Sequence, residues 1–230
     1  MKNSVMAVVS LCAIGAGVSF ASAATVDVAC TGVSNYQMIN TLLAGNPGNE
    51  YTGQIDLALT NSVGGPANGA YKGFCTEITQ NIQIGGSAQT YQVVSVASLP
   101  MPGGGMGAGK ADAIARMWFA AGGQQYVADS DFAAAFQLTI WEIYNDFDGT
   151  AGSLNLSADT FQVTQPLNAG TSAAVSFLFA AAANLGGPQA TNLVGLGSES
   201  YQDLIIEVPA PGAVALVGLA GMVASRRRRS

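Results

Sequence analysis

The sequence predicts an α+β protein: a single β-rich domain, sandwich or barrel-like, with about three helices and a targeting segment at each end. Three observations predict it. Residues 54–60 alternate apolar and polar side chains with the period of two of a half-buried strand. Residues 131–147 place Phe132, Ala135, Phe136, Thr139, Ile140, Ile143, Tyr144 and Phe147 at i, i+3, i+4, i+7 spacing, the period of an amphipathic helix. Finally, 29 glycines punctuate short apolar runs in a chain that is 49% hydrophobic, too apolar for a disordered segment and well suited to a compact domain with many turns.

In chain order, the expected strands are residues 54–60, 73–82, 90–97, 155–164 and 204–208. Gly/Asn/Pro clusters at 61–69 and 100–109 separate several of them. A first helix is expected over 110–121, Ala-rich and preceded by a Gly-rich loop. The second, 131–147, has Asp129 or Ser130 to cap its start and Gly149 beyond its end. A third runs over 171–185 and stops at Gly186-Gly187-Pro188. The chain shows no internal repeat.

Charge placement excludes several functions. Of eight basic residues, Lys2 stands at the N-terminus and Arg226, Arg227, Arg228 and Arg229 stand just before the last residue. The stretch between keeps only Lys72, Lys110 and Arg116 against all 14 acids, a net of −11. Three scattered cations cannot neutralise a row of phosphates, so no nucleic-acid partner is expected. Histidine is absent, which removes Ser-His-Asp and Cys-His catalysis and His-ligated zinc. No metal and no cofactor is expected.

The ends carry addresses. Lys2, an apolar stretch from Val5 to Phe20 and then Ala21-Ser22-Ala23 form a signal peptide over residues 1–23, cut between Ala23 and Ala24. Cys12 does not suit a lipoprotein signal, because Leu11 precedes it where a small residue is required. At the other end, Val208-Pro209-Ala210-Pro211 leads into an apolar segment over 212–224, then the four arginines. That segment is shorter than the ~20 residues of a permanent membrane helix, and its basic flank holds the tail end in the cytoplasm. An ordinary single-span anchor is the alternative.

The tail over 209–230 resembles the PEP-CTERM sorting signal: a Pro-containing site, a short transmembrane helix and an Arg cluster, in that order. Pro209-Ala210-Pro211 stands where that family usually reads Pro-Glu-Pro. The resemblance implies export in a Gram-negative-type bacterium, transient inner-membrane anchoring, processing by signal peptidase and an exosortase, and delivery to the cell surface or the extracellular (biofilm) matrix. The working domain is then residues 24–208.

Within it, several motifs are weak. Gly104 to Lys110 approaches a phosphate-binding loop, but Ala111 stands where a hydroxyl should hold magnesium. Asp129-Ser130-Asp131 and Asp146-Phe147-Asp148-Gly149 lack the ligand series of a calcium loop. Glu142 or Asp146 could serve a histidine-free hydrolase, with no spacing to favour it. More informative are Gly73-Phe74-Cys75-Thr76-Glu77-Ile78, whose alternation sets Cys75 and Glu77 on one strand face, and Phe136-Gln137-Leu138-Thr139-Ile140-Trp141, where Gln137 and Trp141 are helical i, i+4 neighbours.

These two strings resemble the paired motifs of bacterial thioester domains found in surface adhesins. By resemblance, Cys75 supplies the sulfur and Gln137 the acyl carbon of an internal thioester. Glu77 would assist proton transfer, and Phe74, Phe136 and Trp141 would exclude water. The implied activity is single-turnover covalent attachment to a partner amine or hydroxyl, polysaccharide among the candidates; no enzyme is expected. A different class stays open: a Cys30–Cys75 disulfide, ordinary for an exported pair, in a non-reactive structural or polysaccharide-binding matrix protein.

Overall fold

The computed structural model describes residues 23–209. The expected signal segment up to residue 22, and the sorting tail from Ala210 through Ser230, lie outside the described residues. The domain starts with a long hairpin, β1 (Thr25–Leu43) and β2 (Asn46–Val63). Its turn residues Ala44 and Gly45 have φ of 48° and 84°, the positive pair that matches a two-residue turn to the twist of its strands. Further along, β1 bulges between Ser34 and Gln37, with Asn35 at φ 49°. Gly53 lies opposite, and a Cβ there would stand 2.7 Å from the Tyr36 Cα. Glycine is what allows the bulge to close on β2.

The remaining strands are β3 (Gly69–Cys75), β4 (Gln89–Val94), the two-residue pair β5 (Pro100–Met101) and β6 (Gly104–Gly105), β7 (Phe161–Val163), β8 (Leu193–Gly197) and β9 (Leu204–Glu207). The order in the main sheet is β2-β3-β9-β8-β4-β1-β7, and β1 also pairs with β2. Six strands therefore close into an antiparallel barrel, and β7 extends the far end of β1. Closure removes the exposed edges that a flat sheet of this size would leave.

Three helices complete the domain: α1 (Ala108–Ala121), α2 (Ser130–Asp146) and α3 (Ala169–Ala183). The Asp129 carboxylate caps α2 by accepting from the Asp131 and Phe132 amides. Every residue of α2 from Phe132 to Tyr144 is buried, because β1, β2 and β3 cover one side and α3 the other. Phe74 of β3, Trp118 of α1 and Phe136 of α2 pack as an aromatic cluster, with ring centroids 4.7 to 5.7 Å apart. That cluster fixes the end of β3 against the middle of α2.

The architecture is the expected β-rich domain with three helices, realised as a barrel. Helix bounds shift by one or two residues. The strand expected over 73–82 ends at Cys75: Thr76 turns to bond the Asp203 carbonyl, at 3.0 Å from its amide, and the chain beyond is irregular. The strand expected over 155–164 shrinks to Phe161–Val163, while β1 and β8 were not expected. No helix among the described residues is long and apolar enough to cross a membrane.

The three internal cations serve the fold. Lys72 pairs with Asp56 at 2.7 Å. Lys110 donates to the Tyr144 carbonyl at 2.6 Å, closing the last turn of α2, so the near-phosphate loop spends its lysine on a helix end. Arg116 does the same for α3 through the Ala182 carbonyl, at 2.6 and 2.9 Å. Glu142 and Asp146 hold a loop: Glu142 accepts from the Asn155 amide at 2.6 Å, and Asp146 from Thr160 and Phe161 at 3.0 and 2.7 Å. Among the described residues, no cluster of acids and cysteines has the arrangement of a metal site.

Candidate functional site: a glutamine clasped by a cysteine

Cys75 is the last residue of β3, and Gln137 lies at the centre of α2; they are 5% and 1% exposed. The Gln137 side chain makes two hydrogen bonds to the Cys75 main chain. The Cys75 amide donates to Gln137 Oε1 at 3.0 Å, and Gln137 Nε2 donates to the Cys75 carbonyl at 2.7 Å. The β2–β3 ladder ends at the pair Ile55 and Gly73, so the Cys75 main-chain groups have no partner on β2, and the carboxamide takes both. The clasp fixes the carboxamide carbon beside the residue that carries the thiol.

Cys75 also lines a cavity of about 320 Å³, together with Trp141, Glu50, Tyr51, Ile82 and Gln202. Trp141 is 2% exposed, and its indole Nε1–H has no hydrogen-bond partner. Its ring meets Phe161 edge-on at 5.9 Å. Phe74 and Phe136 stand in the aromatic cluster with Trp118.

Glu77 is placed differently from Cys75. It is buried, its carboxylate accepts from the Thr79 hydroxyl and its carbonyl from the Gln202 side chain. It lines a separate cavity of about 170 Å³ with Tyr144 and Asp203. The alternation that set Cys75 and Glu77 on one strand face fails because the strand ends between them. Glu50 of β2 is the carboxylate on the Cys75 cavity. No motif marked it; only the turn-forming Ala44-Gly45-Asn46-Pro47-Gly48 run, read as a hairpin, would have brought its strand into view.

Burial pushes the Cys75 thiol well above its ordinary range, and the nearby ionisable groups Cys30, Glu77 and Glu50 push it further. Burial also raises the Glu50 carboxyl. Cys75 and Cys30 are both buried free thiols, and Cys30 Sγ contacts the Gly32 carbonyl at 3.6 Å. A second cavity, about 530 Å³, opens elsewhere and includes Tyr71, Lys72, Tyr126, Asn192, Glu207 and Pro209; of the expected site residues it holds only Pro209.

Comparison with models of protein families, with curated proteins and with solved structures finds no match to the chain.

Proposed function

We propose that this is an exported surface or matrix protein whose domain attaches covalently to a partner through a thioester between Cys75 and Gln137. The observation that carries the reading is the double hydrogen bond between the Gln137 carboxamide and the Cys75 main chain, inside the buried core and next to a cavity.

The chemistry follows from that geometry. The Cys75 sulfur attacks the Gln137 side-chain carbonyl carbon, a C–S bond forms, and the C–N bond breaks. The thiol proton goes to the departing nitrogen, which leaves as ammonia. An amide is a poor electrophile, so the step depends on enforced proximity and on stabilising the oxyanion. The Cys75 amide already donates to the oxygen that would carry that charge. A surrounding that disfavours the thiolate makes it a poor leaving group, which slows attack by water and keeps the thioester latent. A nucleophile entering the cavity then takes the acyl group and returns Cys75 to a thiol, once and without turnover. The buried aromatic cluster of Phe74 and Phe136, and the Trp141 wall, keep bulk water from the bond.

Export by the N-terminal signal, release of the sorting tail and residence at the surface or in the matrix belong to the same proposal. They rest on the order of the end motifs. The matrix-protein alternative draws on Cys30 and Cys75 lying in the same buried core cluster. Incubation with methylamine followed by peptide mapping separates the readings. The thioester predicts a methylamide on Gln137 and a newly alkylatable Cys75. No modification of Gln137, with Cys30 and Cys75 linked in one peptide pair, overturns it in favour of the disulfide.

A further inference from the structure

The Cys75 cavity has a chemical bias of its own. Among its lining residues Glu50 is the single charged side chain; Asn49, Gln80, Asn81 and Gln202 supply neutral polar groups, and no lysine or arginine enters. Glu50 is only partly exposed, on β2 opposite Ile39. Its carboxylate lies over Gly48, where a Cβ would meet Glu50 Oε1, so the glycine leaves room for it. The buried, unpartnered Trp141 N–H on the same cavity is a donor with nothing to bind within the protein. The rim is apolar and exposed at Tyr51 and Ile84, 53% and 50%.

We propose that Glu50, rather than Glu77, is the proton acceptor of the thioester site, and that it makes the cavity select a cationic primary amine over a hydroxyl. This rests on the thioester reading above. An amine arrives protonated, and a lone carboxylate in a cavity without cations attracts it. Glu50 takes one proton from the ammonium, leaving a neutral amine. The amine nitrogen attacks the Gln137 acyl carbon, a C–N bond forms and the C–S bond breaks. The second proton lost by nitrogen passes to the Cys75 sulfur, and Glu50 releases its own to solvent. Burial, which raises the Glu50 carboxyl, makes it a better base for this step. A hydroxyl brings no charge for Glu50 to hold. The reactive group of the partner is therefore a cationic primary amine, which enters past the exposed Tyr51 and Ile84.

The test is the ratio of two reaction rates with purified protein: methylamine, charged near neutral pH, against hydroxylamine, which is neutral there. In the isosteric Glu50→Gln variant the thioester still forms, seen as the ammonia mass deficit, and the methylamine-to-hydroxylamine rate ratio falls about tenfold or more. Glu77→Gln keeps the wild-type ratio. A smaller fall in Glu50→Gln, or a fall in both rates alike, overturns the role of Glu50 and leaves the thioester standing. A loss of selectivity in Glu77→Gln instead assigns the role to Glu77. A wild-type protein with no mass deficit overturns the thioester reading itself, and this inference with it.

Discussion

Glu142 should make the domain less stable as pH rises, and Glu142→Gln should remove that dependence. Its side chain sits in the buried middle of α2; Oε1 accepts from the Asn155 amide and Oε2 has no partner. Burial, with smaller contributions from Asp146 and Asp159, raises its carboxyl from the ordinary 4.5 to about 7. Below about pH 4.5 the group is protonated in both the folded and the unfolded chain. Between there and about pH 7 the unfolded chain releases the proton while the folded one holds it, so stability falls with rising pH. The displacement converts, at about 1.4 kcal/mol per pH unit, to at most about 3.5 kcal/mol, and solvent screening reduces that to about 2 kcal/mol. Glutamine keeps the acceptor for Asn155 and carries no charge. Urea unfolding should therefore find the variant equal to wild type near pH 4 and more stable by about 2 kcal/mol near pH 8. Equal stabilities at both pH values, or a variant weaker at high pH, would refute the reasoning and show a partner for the ionised carboxylate.

Phe136→Ala should cost about 3–5 kcal/mol, seen in the same urea titration, because it opens the aromatic cluster that docks α2 on β3. Gly53→Ala should lower stability by about 1–3 kcal/mol, because the new Cβ meets backbone atoms of Tyr36 and Asn35 rather than a movable side-chain end; a melting midpoint within error of wild type would contradict this.

Much of the scaffold was legible where one periodicity is uninterrupted. α2 shows its helical spacing and its Asp129 cap in the sequence, and β2 shows alternation from Gln54 to Thr60. β1 was missed for a physical reason: Val26, Val28 and Cys30 alternate inward for only three positions before bulges move successive residues between faces. β8 carries glycines at Gly195 and Gly197, which leave no alternation to read; Gly195 is needed because Leu99 packs against its backbone. The pairing of Cys75 with Gln137 came from two short motifs, and the structure brings these residues together. Glu77 departed because the strand's end depends on Asp203, a residue far along the chain. Glu50 carried no motif of its own, since its place on the cavity follows from the β1–β2 hairpin, where it pairs with Ile39.

The intact mass of the purified protein tests the central claim most directly. The thioester account predicts a mass short of the sequence by one ammonia, with the deficit absent from Cys75→Ala and from Gln137→Ala. Loss of Gln137 also leaves the Cys75 amide buried without its acceptor, so Gln137→Ala should unfold more easily, by about 1–3 kcal/mol. A wild-type mass equal to that of the unmodified chain, or short only by two hydrogens that a reductant restores, would contradict the account.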